Sequence, residues 1–294
     1  MVIEIKIKTV LIIFLFVSVA SLSGGCVKLA LRTSPSLFPH LIESIFEECD
    51  PELAESAIPG NLKLMEGLLK SDPDNRRILT TLSMGFCGYG LLFVEDVDPE
   101  RASRLYLRAR DYGLKALGEK GHKLRKRGVK SEEIEYIIKG FEGENLEALF
   151  WATMSWSAWI NLNLDKPSAV SELGLVQRSL KRILELDPHF LHGSPNILMG
   201  ISLAARPKMF GGNPKLARFY FEKALKGEGR QFFMAHYYYA RYYAVRVQDK
   251  DLFLQLLREV LKGNPYELSD ACLINKMMQI RAKRLIKMAD GFFF

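Results

Sequence analysis

The chain has 294 residues, of which 48% are hydrophobic and 26% charged, a balance typical of a folded rather than a disordered protein. This length permits one large domain or two small ones. The net charge of +7 is a moderate excess and does not by itself indicate nucleic-acid binding.

The first 25 residues have the pattern of a secretory signal peptide. Lys6 and Lys8 supply the charged start, and the apolar run at 10–20 is too short to span a bilayer comfortably. Small residues follow that run. We therefore assign residues 1–25 to a signal peptide and exclude them from the fold.

Residues 22–26, Leu-Ser-Gly-Gly-Cys, resemble a lipobox, at which bacterial lipoproteins are cleaved and lipidated on cysteine. Leu22 lies four residues before Cys26, one position further than the usual large apolar residue of that pattern. We expect lipidation of Cys26, which would anchor the protein stably to a bacterial membrane through several acyl chains. Ordinary cleavage nearby and an uncleaved anchor are the alternatives.

Beyond the signal, apolar residues recur three and four positions apart, which predicts helices nearly throughout. Asp-Pro and Asn-Pro pairs interrupt the pattern, and such pairs favour the start of a helix. They predict one or two capping helices at about 37–70 and another at about 268–289. Four helical hairpins are predicted between them, at 76–93 with 99–118, 144–163 with 170–186, 194–206 with 214–227, and 231–247 with 250–262. The stretch between Gly118 and Glu132 is interpreted as an exposed loop.

The chain also repeats itself with an offset of 115 residues. The matching pairs include Leu69 and Leu184, Pro73 and Pro188, Met84 and Met199, Ala102 and Ala217, Tyr106 and Phe221, and Ala109 and Ala224. Their small–aromatic–small spacing is typical of the second helix of a tetratricopeptide (TPR) repeat. The pattern predicts an all-α fold, a right-handed stack of about four TPR-like hairpins with capping helices, in one domain over 26–294.

The first helices of the hairpins carry many large apolar side chains. In repeats of this kind the first helices line a concave surface, and a helix that is apolar nearly all round must bury two faces. Helical phase, read from the small-residue positions, assigns nine residues to a ligand groove: Met84, Cys87, Trp156, Trp159, Met199, Leu203, Phe232, His236 and Tyr239. Such a groove suits an apolar small ligand or a partner segment, and plain core packing is the alternative for each residue.

The long loop at 206–212 separates the helices of the third hairpin. Loops of this kind are often functional or pack against a neighbour. We therefore take Phe210, Gly211, Gly212 and Asn213 as candidates for contact with a partner.

No group of residues has the spacing of a catalytic or metal site. His189 and His192 are close in sequence, but no acidic or cysteine partner lies at ligand spacing, so neither a metal nor a cofactor is expected. Cys49, Cys87 and Cys272 are interpreted as buried unpaired thiols, with one disulfide as the alternative.

The basic run at 122–130 is interpreted as a solvated helix end. Contact with anionic lipid or an acidic partner is the alternative, and nucleic acid is not expected for an exported chain.

Several segments resemble one family, the T-component lipoproteins associated with TRAP transporters (TatT). The segments are 156–163, 184–188, 206–214 running into Ala217, Phe221 and Ala224, and 252–261, and the resemblance covers about 62–261. It implies an exported, membrane-tethered, all-helical protein of degenerate TPR hairpins that self-associates. It also implies a partnership with the periplasmic substrate-binding protein of a tripartite transporter, around hydrophobic ligands.

These observations favour a non-enzymatic lipoprotein of the bacterial periplasm. It would serve a TRAP-type transport system, dock the substrate-binding protein, and hold or channel an apolar ligand. The alternative is a TPR-like scaffold lipoprotein that assembles envelope complexes through protein contacts only.

Overall fold

The structure is a computed structural model that describes residues 44–126 and 130–293. The expected signal peptide and Cys26 lie outside the described residues. Within those ranges every regular element is a helix, which confirms the predicted all-α class.

The α-helices of six or more residues are as follows: α1 (Pro51–Ser71), α2 (Arg76–Tyr89), α3 (Pro99–Ala116), α4 (Gly118–Arg125), α5 (Ser131–Lys139), α6 (Leu146–Asn161), α7 (Leu173–Leu186), α8 (Phe190–Ala204), α9 (Pro214–Ala224), α10 (Phe233–Tyr238), α11 (Lys250–Lys262) and α12 (Cys272–Lys287). Two of them continue as wider π-helical turns, α2 into Gly90–Val94 and α10 into Tyr239–Ala244.

Some of the predicted turn signals begin helices, as Asp98-Pro99 and Asn213-Pro214 do, whereas Asp187-Pro188 and Asn264-Pro265 lie in turns. The side chains of Asn75, Asp98, Asn213 and Asp249 each accept a backbone N–H from the first turn that follows. An Asp or Asn in this position satisfies one of the N–H groups that a helix start leaves without a partner. The four predicted hairpins therefore form as α2–α3, α6–α7, α8–α9 and α10–α11.

The hairpins pack against one another in chain order. Helix α3 contacts α6, α7 contacts α8, α9 contacts the π-helical turn after α10, and α11 contacts α12. The repeated small–aromatic–small residues are all buried at these crossings: Ala102, Tyr106, Ala109, Ala217, Phe221 and Ala224. The right-handed, TPR-like sense of the stack stays a prediction.

Residues 118–125 form a helix, so the prediction of an exposed loop there is wrong. Helix α4 buries Gly121 and Leu124, and the charged residues around them hide this short apolar face in the sequence. Helix α5 then packs on α7 through a buried pair, Ile137 and Ile138. Since α4 contacts α3 and α5 contacts α7, the two short helices link the first and second hairpins.

The two ends of the stack meet. Helix α12 contacts α1, and a disulfide joins Cys49 to Cys272 across 223 residues of sequence. The expectation of unpaired thiols is therefore wrong for these two cysteines, while Cys87 is free and buried. Sequence spacing could not reveal the pair, because only the folded stack brings the ends together.

A left-handed turn precedes the regular part of α8. Leu191, His192 and Gly193 have φ values of 45°, 53° and 80°. The Nδ2 group of Asn196 donates to the Pro188 carbonyl at 2.7 Å, and His192 Nε2 lies 3.1 Å from an Asp270 oxygen. These contacts hold a conformation that is unfavourable for residues with a side chain.

One helical stretch in the described part of the chain, Arg76–Val94, is long and apolar enough to cross a membrane. Most of it is buried against other helices, as expected for a core helix, so its composition is weak evidence for a membrane span.

Candidate functional site

A cavity of about 280 Å³, called the four-helix cavity below, lies between the first helices of the four hairpins. Its walls come from α6, α8, α10 and the two π-helical turns. It is lined by Leu91, Glu95, Met154, Ser157, Ala158, Asn161, Leu162, Ser194, Ile197, Leu198, Ile201, Ser202, Arg206, Met234, Tyr238, Arg241 and Tyr242. The lining is mainly apolar, with a few polar groups, as in small-molecule binding sites.

Helix α8 forms one wall through two rows of side chains. Ser194, Leu198 and Ser202 follow one another at intervals of four residues, and Arg206 lies four residues further, just past the helix end. Ile197 and Ile201 form a parallel row. This spacing places one face of the helix along the cavity.

The π-helical turns supply the opposite wall. Leu91 lies in the turn after α2, and Glu95 directly follows that turn. Arg241 and Tyr242 lie in the turn after α10, and Tyr238 directly precedes that turn. A π-helical turn inserts one extra residue into a helix and re-aims the side chains beyond it. Such turns are frequent at functional sites, and both of those described here face the same cavity.

Buried side chains fix the turn after α2 in place. The hydroxyl of Tyr106 donates to the Glu95 carboxylate. Arg281 from α12 donates to the Leu91 carbonyl, and its Nε lies 3.1 Å from an Asp96 oxygen. Helix α12 thus stabilises the part of the cavity wall that the first hairpin provides.

Two arginines line the cavity, and their surroundings differ. The Arg241 guanidinium donates to the Tyr237 hydroxyl at 3.1 Å and lies 5.9 Å from the centre of the Tyr242 ring. Arg206 is 6% exposed, and burial lowers its pKa to about 10. Both groups are therefore cationic at neutral pH.

Tyr238 is a neutral polar group in the wall. Burial raises the pKa of its hydroxyl well above the ordinary value, so it remains protonated at physiological pH.

The nine residues assigned to the groove from sequence lie elsewhere. They are Met84, Cys87, Trp156, Trp159, Met199, Leu203, Phe232, His236 and Tyr239, and none of them lines this cavity. The cavity is lined instead by residues two positions away, such as Met154 in α6, Ile201 in α8 and Met234 in α10. Two residues along a helix correspond to about 200°, which is the opposite face.

Most of the nine residues pack between helices instead. Tyr239 stacks on Phe221 of α9 with ring centres 4.9 Å apart. Trp156 donates its indole N–H to Glu172, and its ring lies beside the Arg110 guanidinium at 5.1 Å. These first helices have two apolar faces, and the rings of Trp156 and Tyr239 lie on the face that packs against neighbouring helices.

Met84 lies in a second apolar pocket of about 240 Å³, between α1 and α2. That pocket is also lined by Ser44, Ile45, Phe46, Ile58, Asn61, Leu62, Leu64, Met65, Leu68, Thr81, Gly85, Gly88, Tyr89, Leu92 and Leu273. It lies at the beginning of the stack, away from the four-helix cavity.

The loop before α9 divides into structural and exposed residues. Gly211 has a φ of 83°, which favours glycine, and a side chain on Gly212 would meet the Arg206 carbonyl. Asn213 caps α9 with its side chain and donates its N–H to the Leu203 carbonyl at 3.0 Å. Phe210, in contrast, is 48% exposed.

A family model described as TRAP transporter T-component matches residues 47–293, which is most of the chain. No curated protein matches the sequence.

Proposed function

The chain belongs to the TRAP transporter T-component family and is therefore an accessory component of a TRAP transporter of the bacterial envelope. On this premise we propose that it holds an apolar ligand in the four-helix cavity and docks the substrate-binding protein of the transporter. The proposed role is non-enzymatic. The observation that carries it is the apolar cavity between the first helices, with its few polar groups.

The cavity supports ligand binding through its position as well as its lining. Side chains from all four hairpins meet there, and the cavity walls are held by buried contacts such as that between Arg281 and Asp96. A preformed apolar site of this kind binds without a large cost of ordering. We therefore propose that the ligand lies on the cavity face of the first helices, opposite the face that was predicted from the sequence.

A cavity-filling variant tests this site. Ala158 lines the cavity, so Ala158→Trp should abolish binding of a fluorescent fatty acid to the mature protein. Ser168→Trp, at an exposed position, is the matched control and should bind as the wild type does. Equal binding by both variants would place the ligand outside the cavity.

We place the docking surface at the loop before α9. Met209 is 82% exposed and Phe210 lies next to it, while Phe219 on α9 is also exposed. Exposed apolar residues of this kind often mark a protein interface. Gly211, Gly212 and Asn213 hold the loop in shape and so contribute to docking indirectly.

Co-purification tests the partner. The wild-type chain should retain the substrate-binding protein of its TRAP transporter, and Met209→Ser with Phe210→Ser should lose it while keeping fatty-acid binding. If the wild-type chain binds no fatty acid and co-purifies with outer-membrane assembly components, the result would instead favour the scaffold alternative.

Membrane attachment through Cys26 and self-association remain part of the proposal. Cys26 should incorporate labelled palmitate in cells, and Cys26→Ser should release the protein from the membrane. Light scattering of the soluble variant should give a mass of at least two chains, and the mass of a single chain would contradict self-association.

A further inference from the structure

We propose that the cavity ligand is an anionic amphiphile, a carboxylate with an apolar chain, and that its carboxylate binds Arg206 and Ser202. This inference rests on the proposed ligand-binding function and names the class of ligand.

Arg206 is a buried cation without a counterion. Among residues 44–126 and 130–293, its guanidinium makes no hydrogen bond and has no carboxylate within 4 Å. It is only 6% exposed, and burial alone accounts for its lowered pKa. A buried charge in this state is unfavourable, so an anion that enters the cavity would gain a strong partner.

Ser202 provides a second unsatisfied group one helical turn earlier. Its Oγ is buried and has no hydrogen-bond partner in the described part of the chain. Serine in a helix usually donates to the carbonyl four residues before it, as Ser155 and Ser157 do in α6. Both unsatisfied groups lie on the cavity face of α8, and one anionic headgroup can satisfy both.

The other charged groups that line the cavity have hydrogen-bond partners, although these partners are neutral hydroxyls. Arg241 donates to the Tyr237 hydroxyl, and Glu95 accepts from Tyr106. Most of the remaining lining is apolar, as at Met154, Leu162, Ile197, Leu198, Ile201 and Met234. Arg206 differs in that its guanidinium makes no hydrogen bond among the described residues, and a carboxylate on an apolar chain fits this guanidinium beside an apolar space.

Calorimetric titration of the mature protein tests this assignment. Octanoate, octanol and octylammonium share a chain length and differ in charge. The wild-type protein should bind octanoate at least about 10-fold more tightly than octanol, and octylammonium more weakly than either. Equal affinity for octanoate and octanol would overturn the inference, whereas binding of none of the three would contradict the proposed function itself.

Substitutions at Arg206 and Ser202 test whether these two residues bind the carboxylate. Arg206→Met should weaken octanoate binding about 10- to 100-fold and leave octanol binding unchanged, and Ser202→Ala should weaken octanoate binding about 2- to 10-fold. Arg206→Lys keeps the charge and should retain part of the affinity. Arg218→Met, at an exposed position on α9, is the control and should bind octanoate as the wild type does.

The stability of the unliganded protein gives a readout that does not depend on the ligand. Arg206→Met removes an unpaired buried charge, so its thermal midpoint should equal or exceed that of the wild type. A lower midpoint with unchanged octanoate affinity would mean that Arg206 is structural and would overturn the inference.

Discussion

Helix α8 has two buried faces, one closely packed against α9 and the other bordering the cavity. On the face toward α9, Gly200 lies against the Phe221 ring, which stacks on Tyr239. On the cavity face, Ser202 and Arg206 lack partners among the described residues. The first face is closely packed against aromatic rings, and the second borders a cavity and keeps a hydroxyl and a guanidinium that a ligand could satisfy. The predictions below test this difference.

The largest effect should come from the packed face. Phe221→Ala removes a fully buried ring and should lower the free energy of unfolding by about 3–5 kcal/mol. Leu198→Ala, at a half-buried residue on the cavity face, should cost only about 1–2 kcal/mol, because its side chain already borders empty space. Urea unfolding measures both changes in the free energy of unfolding, and equal losses for the two variants would contradict a difference in packing between the two faces.

The closure of the stack should have the next largest effect. Cys49→Ser with Cys272→Ser should lower the free energy of unfolding by about 2–4 kcal/mol, because the lost bond joins residues that are far apart in sequence. Reductant should destabilise the wild-type protein and leave the double variant unchanged. If reductant affects neither protein, the two cysteines are not bonded.

Two glycine substitutions compare tight and open packing directly. A methyl group on Gly200 would lie 2.9 Å from atoms of the Phe221 ring, so Gly200→Ala should cost about 1–3 kcal/mol. Gly88 in α2 has no atom within 4 Å of the same position, so Gly88→Ala should add up to about 1 kcal/mol of stability. Opposite signs in urea unfolding are expected, and two losses of similar size would contradict the packing described for α8.

The smallest effect should be a pH dependence from His236. Burial lowers its pKa, while the Glu259 carboxylate, 3.3 Å from Nε2, acts in the opposite direction. The unfolded chain therefore binds a proton that the folded chain resists, and stability should fall as the pH drops below about 6.5. Urea unfolding at pH 7.5 and 5.5 should show a smaller loss for His236→Gln than for the wild type, and identical losses would exclude this residue as the cause.

The sequence predicted the hairpins well, because their caps and small–aromatic–small positions are local signals. Asp98 and Asn213 begin helices where expected, and Tyr106 and Phe221 fill equivalent positions. The cavity was harder to predict, because first helices with two apolar faces do not reveal which face meets a neighbouring helix. The isolated Arg206 after an apolar helix was the one available signal, and only the structure shows that it lacks a partner.

Methyl NMR of methionine tests the central claim, that the ligand lies on the cavity face, most directly. The mature protein labelled with ¹³C at its methionine methyls would be titrated with octanoate. Met154 and Met234 line the cavity, Met199 lies on the packed face of α8, and Met84 reports the second apolar pocket. We predict that octanoate changes the methyl chemical shifts of Met154 and Met234 and leaves those of Met199 and Met84 unchanged. Shifts of Met199 or Met84 with Met154 and Met234 unchanged would contradict the account.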